Sequence, residues 1–194
     1  MLLTANKKKV LRLLCLNKDL SVNEVAKECK ITPNGAYKIL KKLEKEEVLK
    51  VKEIANIKAY KLNFSDKKTL LVLQLAFMSD NLSERIRLRA EDVAPLKEVT
   101  SICILFGSYI TEKQKPGDLD ALLVLEKKEF KQYKQIFSKV QDIVPIKIQD
   151  IIQTREDLKR NLLRNDPIVL EAVRNGIVLW GYETLAEVIK NVAG

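Results

Sequence analysis

The stretch "LSVNEVAKECKITPNGAYKILKKLEKEEVL", Leu20–Leu49, holds two helix starts in succession. Ser21 is placed to cap the first, and Glu24 sits where its carboxylate can return a hydrogen bond to the cap, a reciprocal capping box. Val22, Val25 and Ala26 mark the side of that helix that packs. Thr32 caps the second helix, Pro33 fits its first turn because an N–H there would lack a partner anyway, and Ile39, Leu40 and Leu43 form its inner stripe. Toward the N-terminus, Val10, Leu11, Leu13 and Leu14 predict an amphipathic helix from Ala5 to Leu16. Toward the C-terminus, "VLKVKEIANIKAYKLN", Val48–Asn63, alternates like paired strands on both sides of Ala55-Asn56, and Asn tolerates the positive φ of a tight hairpin turn.

The net charge of +9 is concentrated in the same region: Met1–Ser65 carries 15 lysines and arginines against 7 acidic residues, whereas Glu98–Gly194 carries 14 of each. A basic unit beside a neutral remainder suggests that one end meets a polyanion and the other does something else. On the second quoted helix the stripe opposite the core carries Asn34, Gly35, Tyr37, Lys38, Lys41, Lys42 and Lys45, and the hairpin adds Lys50, Lys52, Lys58 and Lys61.

Three helices and a hairpin, with a short turn between helices two and three, resemble the winged helix-turn-helix of bacterial and archaeal transcriptional regulators. The resemblance covers the first third of the chain, with Ala26 at the small position where the two helices approach and Ile31 at the apolar position of the turn. It implies that the third helix lies in the major groove of double-stranded DNA, with Thr32, Asn34 and Tyr37 near base edges, Lys38, Lys41 and Lys42 near phosphates, and Lys58 on the wing. Glu47-Val48 departs from the pattern, which often has glycine before the apolar residue. A solvated lysine face, or a winged helix used for protein docking, is the competing account.

Asp66 is placed to cap a helix through "KKTLLVLQLAFMSDNLSERIRLRAEDV", closed by Pro95. Leu71, Leu75, Met78, Leu82 and Ile86 form one apolar stripe, and Leu70, Leu73 and Phe77 a second. A helix apolar on two sides needs two neighbours: the two domains, or a second copy of the chain in a homodimer.

The second informative stretch is "ILFGSYITEKQKPGDLDALLVL", Ile104–Leu125. Two buried-strand patterns flank a polar turn, a polar helix follows from Lys128 to Val140, and "VPIKIQDII" is a further strand. In a strand, residues two apart share a face, so Asp118 and Asp120 aim at one point while Leu119 turns away. Like charges so placed ask for a cation, and paired aspartates suit magnesium completed by phosphate oxygens. Gly107 lets the backbone turn sharply, and Ser108 and the turn amides can donate to a phosphate.

These residues resemble the Gly-Ser and Asp-x-Asp signature of the DNA polymerase beta-type nucleotidyltransferases, especially their minimal branch; the likeness runs from Thr100 to Tyr182 and includes "NDPIVLEAVRNGIVLWGYE". It implies transfer of a nucleoside monophosphate from a nucleoside triphosphate to a hydroxyl, with two Mg2+ ions held by Asp118 and Asp120. Asp150 is the candidate third catalytic and metal-binding carboxylate, and Gly107, Ser108 and Lys115 are the candidate nucleotide-binding residues. Small members of this branch often act with a separately encoded protein partner. Gly117 stands where the family often has Ser, and Lys113 and Lys115 replace the usual Gly and Arg of the turn.

Histidine is absent, which removes imidazole-based catalysis, and Cys15, Cys29 and Cys103 have neither disulfide nor zinc spacing. No apolar segment approaches the ~20 residues of a bilayer span, so no membrane partner and a cytoplasmic location are expected. The expected fold class is α+β: an N-terminal winged helix-turn-helix (1–65), a helical connector (66–97) and a small mixed-sheet nucleotidyltransferase domain (98–194). Two functions stand: a Mg-dependent nucleotidyltransferase that binds DNA, or a transcriptional regulator whose second domain only senses nucleotide or binds a partner.

Overall fold

The computed structural model describes residues 3–16, 19–54, 56–79, 81–111 and 116–193. The chain divides into two compact units, Met1–Phe77 with Ile189–Gly194, and Met78–Val188.

In the first unit, α1 (Ala5–Leu16), α2 (Val22–Cys29) and α3 (Pro33–Lys45) start at their expected caps. The Ser21–Glu24 capping box is formed in both directions, and Thr32 Oγ1 accepts from the Gly35 amide at 3.1 Å. β2 (Leu49–Ile54) and β3 (Ile57–Leu62) make the hairpin, with Asn56 in its turn at φ 66°. β1 (Leu20–Ser21) pairs with β3 and completes a sheet of order β1-β3-β2; a strand of two residues has no periodicity to read. Glu47 adopts φ 61°, the left-handed conformation for which glycine is the default, and Asn63 Nδ2 steadies it by donating to its carbonyl at 2.8 Å.

Leu11 and Leu13 of α1, Leu40 and Leu43 of α3, and Tyr60 of β3 are fully buried, each leucine contributing roughly 1.5–3 kcal/mol. α4 (Lys67–Phe77) adds Leu73 and Phe77. Arg12 of α1 closes the end of α4, donating to the carbonyls of Ala76 and Phe77 at 3.0 Å each, with its guanidinium over the Phe77 ring. The neighbouring Cys15 is buried, which pushes its thiol up to about 12. Cys29 is buried as well.

A continuous connector helix does not form. α4 stops at Phe77, and α5 (Glu84–Val93) begins after Ser83, whose Oγ accepts from the Ile86 amide at 3.4 Å. Ser, Asp and Asn crowd the sequence between them, and such side chains bond nearby backbone and favour caps over helix interiors. The first stripe is accordingly divided. Leu71, Leu75 and Met78 are 58%, 44% and 39% exposed, whereas Leu82 and Ile86 join the core of the second unit.

That second unit is built on a mixed sheet of order β6-β5-β4-β7, formed by β4 (Ile102–Phe106), β5 (Asp118–Val124), β6 (Lys147–Gln153) and β7 (Ile177–Trp180). β5 and β6 run parallel, joined through α6 (Phe130–Ile143), while β4 is antiparallel to β5 and β7. Every residue of β4 is buried, as its unbroken apolar run predicts. α7 (Arg155–Leu163) contacts β6, α8 (Pro167–Asn175) contacts β4, and α9 (Tyr182–Ala193) ends the described chain. Cys103 of β4 lies in the core, where burial pushes its thiol up.

Candidate functional site

The antiparallel register sets Phe106, the last residue of β4, against Asp120, so the residues after Phe106 lie beside the start of β5. Gly107 has φ +72°, and a Cβ there would strike the Asp120 carboxylate, so the position needs glycine for its dihedral and for its space. Thr111 closes the following turn, its amide and hydroxyl donating to the Ser108 carbonyl at 3.3 and 2.8 Å. Arg85 of α5 braces the same turn: Nη2 donates to the Tyr109 carbonyl at 2.8 Å, and the guanidinium lies 4.0 Å from the Tyr109 ring centroid. Sequence reasoning misses Arg85, because one arginine among three on a charged helix gives no sign that its target is a backbone carbonyl in a distant turn.

Asp118 and Asp120 are half-buried on one face of β5. Burial pushes the Asp120 carboxyl above its ordinary range, and the carboxylates of Asp118 and of Glu171 on α8 push it the same way. Gln149 of β6 is registered against Asp120, and its Nε2 donates to Asp118 Oδ2.

Asp150 is not brought to this pair. One residue beyond Gln149, it turns to the opposite face of the sheet, where Tyr133 of α6 donates its hydroxyl to Asp150 Oδ2 at 2.7 Å. Tyr133 is itself packed in the core with Leu119, Ala121 and Ile148, and burial, then the bond to Asp150, pushes its hydroxyl pKa up. The position on β6 that faces the pair holds a neutral amide. Lys113 and Lys115 lie outside the described residues. Among the described residues no group of three His, Cys, Asp or Glu side chains stands close enough to hold a metal ion. Asp118 and Asp120 are two carboxylates on one face that could hold a metal ion, and Glu171 is a further carboxylate near Asp120.

In the first unit, α3 buries Ala36, Leu40 and Leu43 and presents Asn34, Tyr37, Lys38, Lys42 and Lys45 to solvent. With α2 before it and the β2–β3 hairpin after it, the helix stands out along a basic face. Residues 3–50 match the winged helix-turn-helix DNA-binding family model. No curated protein and no solved structure matches the chain.

The N-terminal unit therefore carries a winged helix-turn-helix DNA-binding domain. Not all its basic residues are alike. Lys41 is drawn to Glu44 at 2.7 Å, and Thr32 has its hydroxyl oxygen engaged in the cap. On the wing, Lys50 donates to Ser65 Oγ at 2.9 Å, and Lys58 lies 3.9 Å from Glu53, too exposed a pair to count for much. Lys42 has Lys7 of α1 beside it, and the mutual repulsion, after burial, lowers the Lys7 pKa. The Glu46 carboxylate lies near enough to offset part of that repulsion. No helix among the described residues is long and apolar enough to cross a membrane.

Proposed function

We propose that the protein is a DNA-binding regulator whose second unit holds a nucleoside triphosphate with one magnesium ion and does not transfer the nucleotide. Support for the first half is the family match over residues 3–50 and the positive charge gathered around α3 and the wing. The second half rests on the Gly-Ser and Asp-Leu-Asp resemblance, together with the side on which Asp150 points. Two-metal transfer asks for a third carboxylate beside the pair; the β6 position that faces the pair is Gln149, which leaves Glu171 of α8 as the carboxylate that the transfer assay must address. In this reading Asp118 and Asp120 would hold the ion, which when bound would neutralise their repulsion and that of the phosphates. Ser108 and the turn amides would donate to phosphate oxygens, with Lys115 adding charge, and Gln149 would keep Asp118 oriented.

Thermal unfolding with magnesium, with triphosphate and with both tests the reading, alongside a transfer assay with labelled nucleotide. Joint addition should stabilise more than either alone, and Asp120→Asn should remove that joint effect. No label should pass to protein, nucleic acid or added alcohols. Transfer by the parent that is lost in Glu171→Gln would establish the enzyme instead, since Glu171 is the carboxylate that α8 brings toward Asp120. Absence of any joint stabilisation would reduce the second unit to a docking scaffold.

A further inference from the structure

A pocket of about 370 Å³ opens beside β7, with apolar walls from Leu82, Val178, Leu179 and the ring of Trp180. The residues that line it belong to the second unit. It lies apart from the aspartate pair: Trp180 is registered against Cys103, near the start of β4, whereas Asp120 is registered against Phe106 at that strand's end. The indole wall is fixed in place. Trp180 is 8% exposed, its ring N–H donates to Thr100 Oγ1 at 3.1 Å, and the Thr100 hydroxyl donates in turn to the Leu96 carbonyl at 2.7 Å. That chain of bonds ties the ring to the backbone next to Lys97, whose side chain also lines the pocket. Ala90 and Ala94, one helical turn apart, line it with methyl groups only and so leave its space unfilled.

We propose that this pocket binds a small amphiphilic carboxylate, one negative charge on an apolar body of octyl size, with the carboxylate at Lys97 and the body against Trp180, Leu82 and Val178. The volume lies within the range of small-ligand sites. Charge selects the head group. Among the described lining residues Lys97 alone is ionised at neutral pH, and no described residue pairs with its ammonium group. The acidic residues that end α5 have other partners: Glu91 is 4.0 Å from Arg87, and Asp92 is 2.9 Å from Arg89. Glu98, the sequence neighbour of Lys97, does not line the pocket. One ammonium group matches one negative charge, whereas a phosphate dianion would stay half compensated and an amine would be repelled. Tyr182 brings a phenol hydroxyl to the same lining, a further donor for a carboxylate oxygen. Lys97 is exposed, so its stem runs along the apolar wall while its head stays in water. A carboxylate at that head keeps its own hydration, and only the apolar body enters.

The test uses the full chain and reads the emission and the indole N–H resonance of Trp180, the single tryptophan of the sequence. Octanoate, octanol and octylamine are titrated at neutral pH. Octanoate should shift both signals saturably and bind more tightly than octylamine. Lys97→Met keeps an apolar stem and removes the charge. It should weaken octanoate about fivefold, the upper end for an exposed ion pair, strengthen octylamine, and leave octanol within about twofold. Ala90→Leu should fill the pocket and weaken octanoate and octanol alike, while Asp120→Asn should leave octanoate binding unchanged, which separates this pocket from the triphosphate reading. The proposal fails if octanoate moves neither signal, if octylamine binds the parent as tightly as octanoate, or if Lys97→Met leaves octanoate affinity as it was.

Discussion

Asp120 is a carboxylate held where its own charge is disfavoured, by burial first and by Asp118 and Glu171 after it. Folding raises its pKa, so the folded chain binds this proton more tightly than the unfolded chain, and stability declines as pH climbs from the ordinary aspartate value through the raised one. Asparagine is spared that decline. Asp120→Asn should therefore melt higher than the parent at pH 7 without magnesium, and the difference should fade below about pH 4, as thermal scans across that range would record. Much of this site is legible from residue types alone: Gly107, Asp118 and Asp120 are found by motif, and strand alternation puts both carboxylates on one face. Choosing between Gln149 and Asp150 is harder. The alternation of Ile146, Ile148 and Ile152 already assigns Asp150 to the apolar side, but only the arrival of the Tyr133 hydroxyl from α6 explains why a carboxylate is tolerated there.

Helices and strands respond to local signals that are unevenly strong. Caps at Ser21 and Thr32 are readable because their chemistry is local, whereas β1 exists only because β3 comes to pair with it. α7 is nearly as obscure, since just Leu158 and Leu162 of its residues are buried. The break between α4 and α5 is visible in the Ser-Asp-Asn-Leu-Ser composition once apolar spacing is not allowed to override it. Its consequence is that Leu75 and Leu82 now belong to different problems. Leu82→Asp should lower stability by about 2–4 kcal/mol in urea titrations, because it sets a charge against the second unit's core. Leu75→Asp should change stability by no more than about 0.5 kcal/mol. If two copies pair through Leu71 and Leu75, that same variant should halve the mass seen in sedimentation. At the entry to the wing, Glu47→Gly should raise stability by up to about 1 kcal/mol, since a left-handed backbone suits glycine; equilibrium denaturation would show it.

Across the whole molecule, charge is the property most plainly written in the sequence and the one least altered by folding. The basic first third predicts that duplex DNA affinity falls steeply with salt. Each lysine that contacts a phosphate contributes close to 0.9 to the slope of log affinity against log salt, so Lys38→Ala with Lys42→Ala should lower it by roughly 2 in fluorescence-anisotropy titrations. Adding Lys41→Ala should change it less, because Glu44 already competes for that ammonium.

The three cysteines carry a consequence of another kind. Cys15 and Cys29 are buried in one unit and Cys103 in the other, and thiols withheld from solvent and from ionisation react slowly with alkylating reagents. Alkylation must then wait for the surrounding structure to open, which makes the three sulfurs clocks for the kinetics of each half. Mass spectrometry of chains quenched after graded exposure to iodoacetamide would read them separately. Should Cys15 and Cys29 be modified at one common rate and Cys103 at another, the halves open independently. A single shared rate would mean that the chain opens as one cooperative body.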